Sequence, residues 1–136
     1  LETTEAEFRH GGDRAFWNRK GDYITLPERE QFTSTERYYA TAFHELTHWT
    51  GAAHRLDRDM TGRFGDRRYA AEELVAELGA HFLAAEFDME AATTEDTARY
   101  LADWVQLLET DSKAIFTAAA LASDAVDYSM NLALAY

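Results

Sequence analysis

The sequence predicts an α+β domain, mainly helical, with a small N-terminal β-sheet and about four helices. Two observations carry that expectation. Six of the seven glycines and the single proline, Pro27, fall before residue 66. The remainder is rich in alanine and keeps Gly79 as its one glycine, a composition that favours long helices. Short apolar runs around polar, glycine-containing segments are confined to the early part, where they read as strands. With 136 residues, 46% hydrophobic and 13% aromatic, residues 1–136 are sized for one domain.

The elements follow in order. Ala15-Phe16-Trp17 and Tyr23-Ile24-Thr25-Leu26 are two strands around the turn Asn18-Arg19-Lys20-Gly21-Asp22, and Pro27 ends the second. Thr33 and Glu36 form a capping box for a first helix from about Thr35 to Thr50, closed by Gly51. A second helix, from about Arg68 to Phe87, aligns Leu74, Leu78 and Phe82, with Val75 and Leu83 beside them. A third, opened by Thr93 or Thr94 and running to about Glu109, aligns Tyr100, Trp104 and Leu108 with Leu101 and Val105. The fourth, from about Ser112 to Leu132, carries Ile115, Phe116, Ala119 and Val126 on its apolar face. The arginine-rich stretch from Arg55 to Arg68 is the one long loop.

Charge and composition exclude several functions. Thirteen basic against 25 acidic residues leave a formal charge of −12. That opposes the basic footprint of a nucleic-acid binder and disfavours an anionic membrane surface. Direct nucleic-acid binding and membrane binding are therefore not expected of this domain. Leu1-Glu2-Thr3-Thr4-Glu5 lacks the basic and apolar regions of a signal peptide, so the expected compartment is the cytoplasm. A chain that starts at Leu1 rather than Met is expected to be a piece of a longer protein. There is no cysteine, so disulfides and thiolate sites are impossible and any metal must be held by His, Asp or Glu.

The run His44-Glu45-Leu46-Thr47-His48 meets that condition. On a helix, positions i and i+4 share a face, so His44 and His48 present two imidazoles to one metal ion, with Glu45 beside them as the general base of a hydrolase. A zinc ion with three protein ligands keeps a water in its fourth position and acidifies it. At this composition roughly 0.02 chance matches to the pattern are expected, before helical context is demanded. The bland alternative is a pair of surface histidines.

For the third ligand the residues leave alternatives. His54 completes His44-Glu45-x-x-His48-x-x-Gly51-x-x-His54, the metzincin spacing, yet none of Met60, Met89 and Met130 is convincingly placed as the Met-turn of that class. A glutamate from the second helix is favoured. Glu73 is the first choice, with Glu72 and Glu77 behind it, and Glu77, one turn on, is suited to accept the free N–H of a ligating histidine.

The blocks Tyr38-Tyr39-Ala40-Thr41-Ala42-Phe43-His44-Glu45-Leu46-Thr47-His48-Trp49-Thr50-Gly51, Arg55-Leu56-Asp57-Arg58, Phe64-Gly65, Tyr69-Ala70-Ala71-Glu72-Glu73-Leu74-Val75-Ala76-Glu77 and Lys113-Ala114-Ile115-Phe116 resemble the zincin-like metallopeptidase domain of ArdC-type antirestriction proteins. The same domain occurs in phage and plasmid polyvalent proteins. The resemblance implies a gluzincin-like fold, Zn2+ bound by His44, His48 and Glu73, and Glu45 as general base. It further implies a zinc peptidase acting on a protein or peptide substrate within a mobile-element protein. Any binding of single-stranded DNA would fall to an N-terminal domain that family members commonly carry. The alternative is a non-proteolytic, zinc-containing module that protects DNA or binds protein.

Four further readings accompany these. Tyr23 to Leu26 is a candidate edge strand for an extended peptide. Tyr69 or Tyr128 is a candidate oxyanion donor. His81 lies one turn beyond Glu77, and His10 has no context. Arg55, Arg58, Arg63, Arg67 and Arg68 form a basic cluster that either meets acidic groups of a partner or pairs with Asp57, Asp59 and Asp66.

Overall fold

A computed structural model describes residues 1, 4–60, 67–92 and 95–134. Its element order is β1 (Glu7–His10), β2 (Phe16–Asn18), β3 (Tyr23–Leu26), a 3₁₀ turn (Arg29–Gln31), α1 (Thr35–Thr50), α2 (Arg67–Glu86), α3 (Glu95–Thr110) and α4 (Ala114–Leu134). The mainly helical α+β reading therefore holds, and the helix bounds fall within two residues of those expected.

The sheet differs from expectation. Its order is β1-β3-β2, with β1 parallel and β2 antiparallel to β3. Tyr23–Leu26 is consequently the central strand, and the edges are β1 and β2. Strand β1 escapes sequence reading because Phe8 is the one apolar residue in Glu7-Phe8-Arg9-His10. Without it, β3 looks like an edge. The alternation of β3 is real, however: Ile24 and Leu26 are fully buried and pack in one cluster with Tyr38, Phe43, Leu46 and Trp49 of α1.

Helix α1 starts one residue later than the Thr33 capping box implies. Its N-cap is Ser34, in extended backbone, whose Oγ accepts the Arg37 N–H at 3.1 Å. Gly51 closes the helix in right-handed conformation, φ −82°. Glycine leaves room there for the ends of two long side chains, since a Cβ would meet the Met60 methyl and the Arg58 guanidinium unless they shifted.

Helix α2 packs against α1, α3 and α4, which leaves the middle of α2 buried all round. Ala80, Leu83 and Ala84 join the α1 and sheet cluster. Ala70, Leu74 and Val75 join a second cluster with Tyr100, Trp104 and Leu107 of α3 and with Ala118 and Ala122 of α4. Trp104 Nε1 donates to the Ala70 carbonyl at 3.1 Å. Two faces depart from expectation. On α3, Leu107 is buried while Leu101 and Val105 are exposed. On α4 the buried residues among those described are Ala118, Ala122, Ala125, Val126 and Ser129, and Phe116 is 75% exposed. Small side chains let helix backbones approach closely, so alanines rather than the largest residues define this contact. The caps proposed at Thr93 and Thr94 lie outside the described residues. Among the described residues no helix is long and apolar enough to cross a membrane.

Candidate metal centre

Helices α1 and α2 meet along a polar seam, and its geometry starts from Gly79. A Cβ at Gly79 would lie 2.5 Å from Oγ1 and 2.6 Å from Cγ2 of the buried Thr47, so glycine sets how closely the helices approach. The approach brings Glu73 of α2 to His44 and His48 of α1. Nε2 of His44 lies 3.0 Å from Glu73 Oε2, and Nε2 of His48 lies 3.2 Å from Glu73 Oε1. One donor atom from each residue falls within 4.8 Å of the others. Ligand atoms around a tetrahedral zinc are separated by roughly 3.3 Å, given bond lengths of about 2.0–2.1 Å. Two imidazole nitrogens and a carboxylate at this spacing fit a divalent cation.

The outward nitrogens are supported as those of metal-binding histidines usually are. Nδ1 of His48 lies 2.8 Å from Glu72 Oε2, and Nδ1 of His44 lies 3.4 Å from Glu77 Oε2. Each supporting carboxylate is held in turn. Arg58 donates from Nε to Glu72 Oε1 at 2.8 Å and from its Nη2 to Oε2 at 3.1 Å. Thr97 of α3 donates to Glu77 Oε1 at 2.7 Å. All three glutamates are buried. Burial alone pushes the His44 pKa down, but the carboxylates of Glu73 and Glu77 outweigh it and raise it to about 9. For His48 burial again lowers, while Glu73 and Glu72 raise it well above the ordinary value. Burial pushes Glu73 up, and the two histidines more than reverse this. The same balance, with Arg58 or Thr97 added to a histidine, lowers Glu72 and Glu77.

Glu45 is buried on α1 and lines, with His48, Glu72 and Glu73, a cleft of about 200 Å³. The cleft thus opens onto Glu45 and onto two of the three ligand candidates, His48 and Glu73, while His44 is fully buried. Tyr69 and Tyr100 line it too, their hydroxyls 3.0 Å apart. Burial, the Tyr69 hydroxyl and the Glu73 charge all hold the Tyr100 pKa above its ordinary value, so Tyr100 keeps its proton. Tyr69 was expected near the site. Tyr100 was not, because it reads as one more apolar position of α3. Tyr128 packs against Trp49 instead, with ring centroids 6.2 Å apart.

His54 does not join the cluster. Its side chain is 66% exposed, and its Nε2 lies 3.2 Å from Asp22 Oδ2, so the metzincin spacing is not realised in space. Arg55 and Arg58 are not surface cations. The Arg55 guanidinium is 6% exposed and pairs with Asp22, lying 3.8 Å above the Trp49 ring. That of Arg58 is 4% exposed. Arg67 and Arg68 belong to α2, while Arg63 and Asp66 lie outside the described residues, as do Phe64 and Gly65. His81 turns Nδ1 to the Glu77 carbonyl at 2.9 Å, behind the cluster. His10 Nε2 lies 2.7 Å from the Tyr38 hydroxyl.

Comparison with known proteins gives the family and the fold. The zincin-like metallopeptidase family matches residues 1–121. An uncharacterised protein, y4eC, of Sinorhizobium fredii is 41% identical over 90% of this chain and 40% of its own length. The DNA primase TraC of Escherichia coli is 45% identical over 94% of this chain and 9% of its own. Among solved structures, the Mn(II)-bound antirestriction protein ArdC of plasmid R388 superposes with a TM-score of 0.85 and 38% identity, over 97% of this chain and 49% of that one. Its metal-free form gives 0.84 and 40%. The chain therefore spans half or less of the length of these relatives.

Proposed function

The chain belongs to the zincin-like metallopeptidase family, and from that premise we propose that it hydrolyses peptide bonds as the metal-dependent domain of a larger antirestriction-type protein carried by a mobile element. The observation that carries the proposal is the convergence of His44, His48 and Glu73 on one point, beside a cleft that His48, Glu73 and Glu45 line. In this reading the two Nε2 atoms and the Glu73 carboxylate hold a divalent cation, and Glu45 is the catalytic residue. A nitrogen-and-carboxylate set of this kind favours Zn2+; the manganese named for the ArdC relative supports a divalent cation more broadly.

When bound, such a cation polarises a carbonyl and lowers the pKa of water toward about 7. The rest falls to side chains. Glu45 accepts the proton of the attacking water on its carboxylate and delivers it to the leaving amine. Glu72 and Glu77 hold the imidazoles of His48 and His44 in the orientation that keeps both Nε2 atoms turned inward. Tyr100, protonated and beside Glu73, is placed to donate to the oxygen that gains charge as the carbonyl is attacked.

The alternative, a structural metal in a module that shields DNA or binds protein without cutting it, calls for a closed site with a fourth protein ligand. Among the described residues the metal-competent group has three members and adjoins a cleft, which favours hydrolysis. The test is Glu45→Gln in the metal-loaded chain, assayed on a denatured protein mixture by mass spectrometry. Metal content should be unchanged while cleavage falls at least about a hundredfold. Cleavage at the wild-type rate would remove Glu45 from the mechanism.

A further inference from the structure

The basic cluster read from the sequence dissolves in three dimensions, and another forms that the sequence does not announce. Arg55 and Arg58 are consumed by buried ion pairs. Arg14 and Arg19, from the strand side, and Arg68 and Arg99, from α2 and α3, line the cleft that holds Glu45 and Glu73. Four of the 13 basic residues of a chain with formal charge −12 thus gather around one opening. Apart from Glu45, Glu72 and Glu73 on its floor, the described lining contains no acidic residue. Arg19 donates to the Met60 carbonyl at 2.7 Å, which anchors the strand side to the segment after α1, and Asp59 stands 3.8 Å from Arg68. Arg99 hydrogen-bonds the Tyr100 hydroxyl, and Arg68 and Arg99 have further partners within the chain; a guanidinium carries five donors in a fork, and a substrate carboxylate would join these contacts.

We propose that this rim selects acidic peptides: side-chain carboxylates of the substrate flanking the scissile bond pair with Arg14, Arg19, Arg68 and Arg99. The proposal deepens the hydrolytic reading above and rests on it. Three observations favour a peptide over a nucleic acid. Strand β2 is a sheet edge, and its Phe16 and Trp17 line the same cleft, so the backbone there is available to pair with an extended chain. A cleft of about 200 Å³ admits a few side chains rather than a run of phosphates. The negative charge of the rest of the chain repels a long polyanion, whereas a short peptide feels mainly the groups within a Debye length of about 10 Å. Carboxylates take the guanidinium fork with two parallel hydrogen bonds, which adds orientation to attraction.

The experiment uses the metal-loaded Glu45→Gln chain and fluorescein-labelled probes, read by anisotropy: a short Glu-rich peptide, the same peptide with Gln for Glu, the same with Lys for Glu, and oligothymidylate. The Glu-rich peptide should bind about tenfold tighter than the Gln peptide, a difference of about 1.4 kcal/mol, and the Lys peptide weakest. Combining Arg14→Ala, Arg19→Ala, Arg68→Ala and Arg99→Ala should abolish the preference without changing metal content or the circular dichroism spectrum. Single replacements, each lowering the preference by a fraction, keep the test valid if the fourfold variant misfolds. Equal affinity for the three peptides, no binding of any, or tighter binding of oligothymidylate would overturn the proposal. Binding of the acidic peptide without cleavage by the wild-type chain would leave the rim assignment standing and sink the hydrolytic one. Cleavage with no acidic preference would do the reverse.

Discussion

Arg58 shows how much of a site can rest on one side chain that binds nothing itself. Its guanidinium grips both oxygens of Glu72, the Thr47 carbonyl and the Thr50 hydroxyl, and Glu72 in turn faces Nδ1 of His48. Arg58→Ala leaves a buried carboxylate without its cation, which should lower stability by about 3 kcal/mol in urea denaturation and weaken metal binding about 10- to 100-fold. Adding Glu72→Gln should recover part of the stability, and an unchanged unfolding midpoint for Arg58→Ala would show that the clamp carries no energy. Glu73→Ala should reduce metal occupancy far more than His54→Ala, measured by elemental analysis after dialysis; the opposite order would restore the metzincin scheme that the position of His54 argues against. The meeting of His44 and His48 was legible because a helix turns fixed spacing into a shared face. Glu73 was legible as a preference over its neighbours. Arg58 and Tyr100 were not, since nothing local separates Arg58 from Arg63 or Arg67, and Arg58 finds Glu72 across 14 residues.

At the scale of elements, the site depends on the spacing between α1 and α2, and Gly79 against Thr47 sets it. Alanine is the better helix former by about 1 kcal/mol, so Gly79→Ala would stabilise an isolated helix. In the folded chain the added methyl meets the buried Thr47 side chain, its Cβ included, so something must shift. We expect a net loss of about 1–3 kcal/mol, with metal affinity falling because Glu73 is pushed from the imidazoles. Thr47→Ala in the same chain should relieve much of this, giving a coupling of at least about 0.5 kcal/mol in a double-mutant cycle. Strictly additive effects would place the tight contact elsewhere. The extents of α1 and α2 were legible from caps, breakers and apolar period. Strand β1 was not, because four mostly polar residues become a strand when β3 offers them a ladder. On α4 Val126 is buried and Ile115 packs on the second cluster as expected, but Phe116 was misread: it is larger than Ala118 or Ala122, and closeness of packing chooses the small residues.

At the scale of the molecule, Asp22 joins the sheet to the helices. It occupies the β2–β3 turn with φ 56°, accepts from Trp17 Nε1 at 3.1 Å, and binds the Arg55 guanidinium with both oxygens, while Arg55 Nε donates to the Trp49 carbonyl at the end of α1. The sequence placed Asp22 in a turn and Arg55 in a loop, correctly, but their pairing spans 33 residues and has no local signature. The hydrogen bonds from Arg55 outweigh partial burial and lower the Asp22 pKa from 3.8 to about 2. A carboxylate whose folded-state pKa is depressed contributes stability that is fully present above its unfolded value and is lost as pH falls through the folded one. Asp22→Asn keeps the shape, and asparagine tolerates the left-handed backbone, so the variant isolates the charge. At neutral pH it should be less stable than the wild type, in part because Arg55 remains buried without a counter-charge. The gap should hold down to about pH 4, narrow below it, and close as pH falls through about 2, where the wild-type Asp22 is itself half protonated. Thermal unfolding of both chains across that window reads the difference directly. A gap that stays at its neutral-pH size down to about pH 2 would mean that Asp22 acts through its turn geometry rather than its charge, and the sheet would then be held to the helices by the packing of Ile24 and Leu26 on α1.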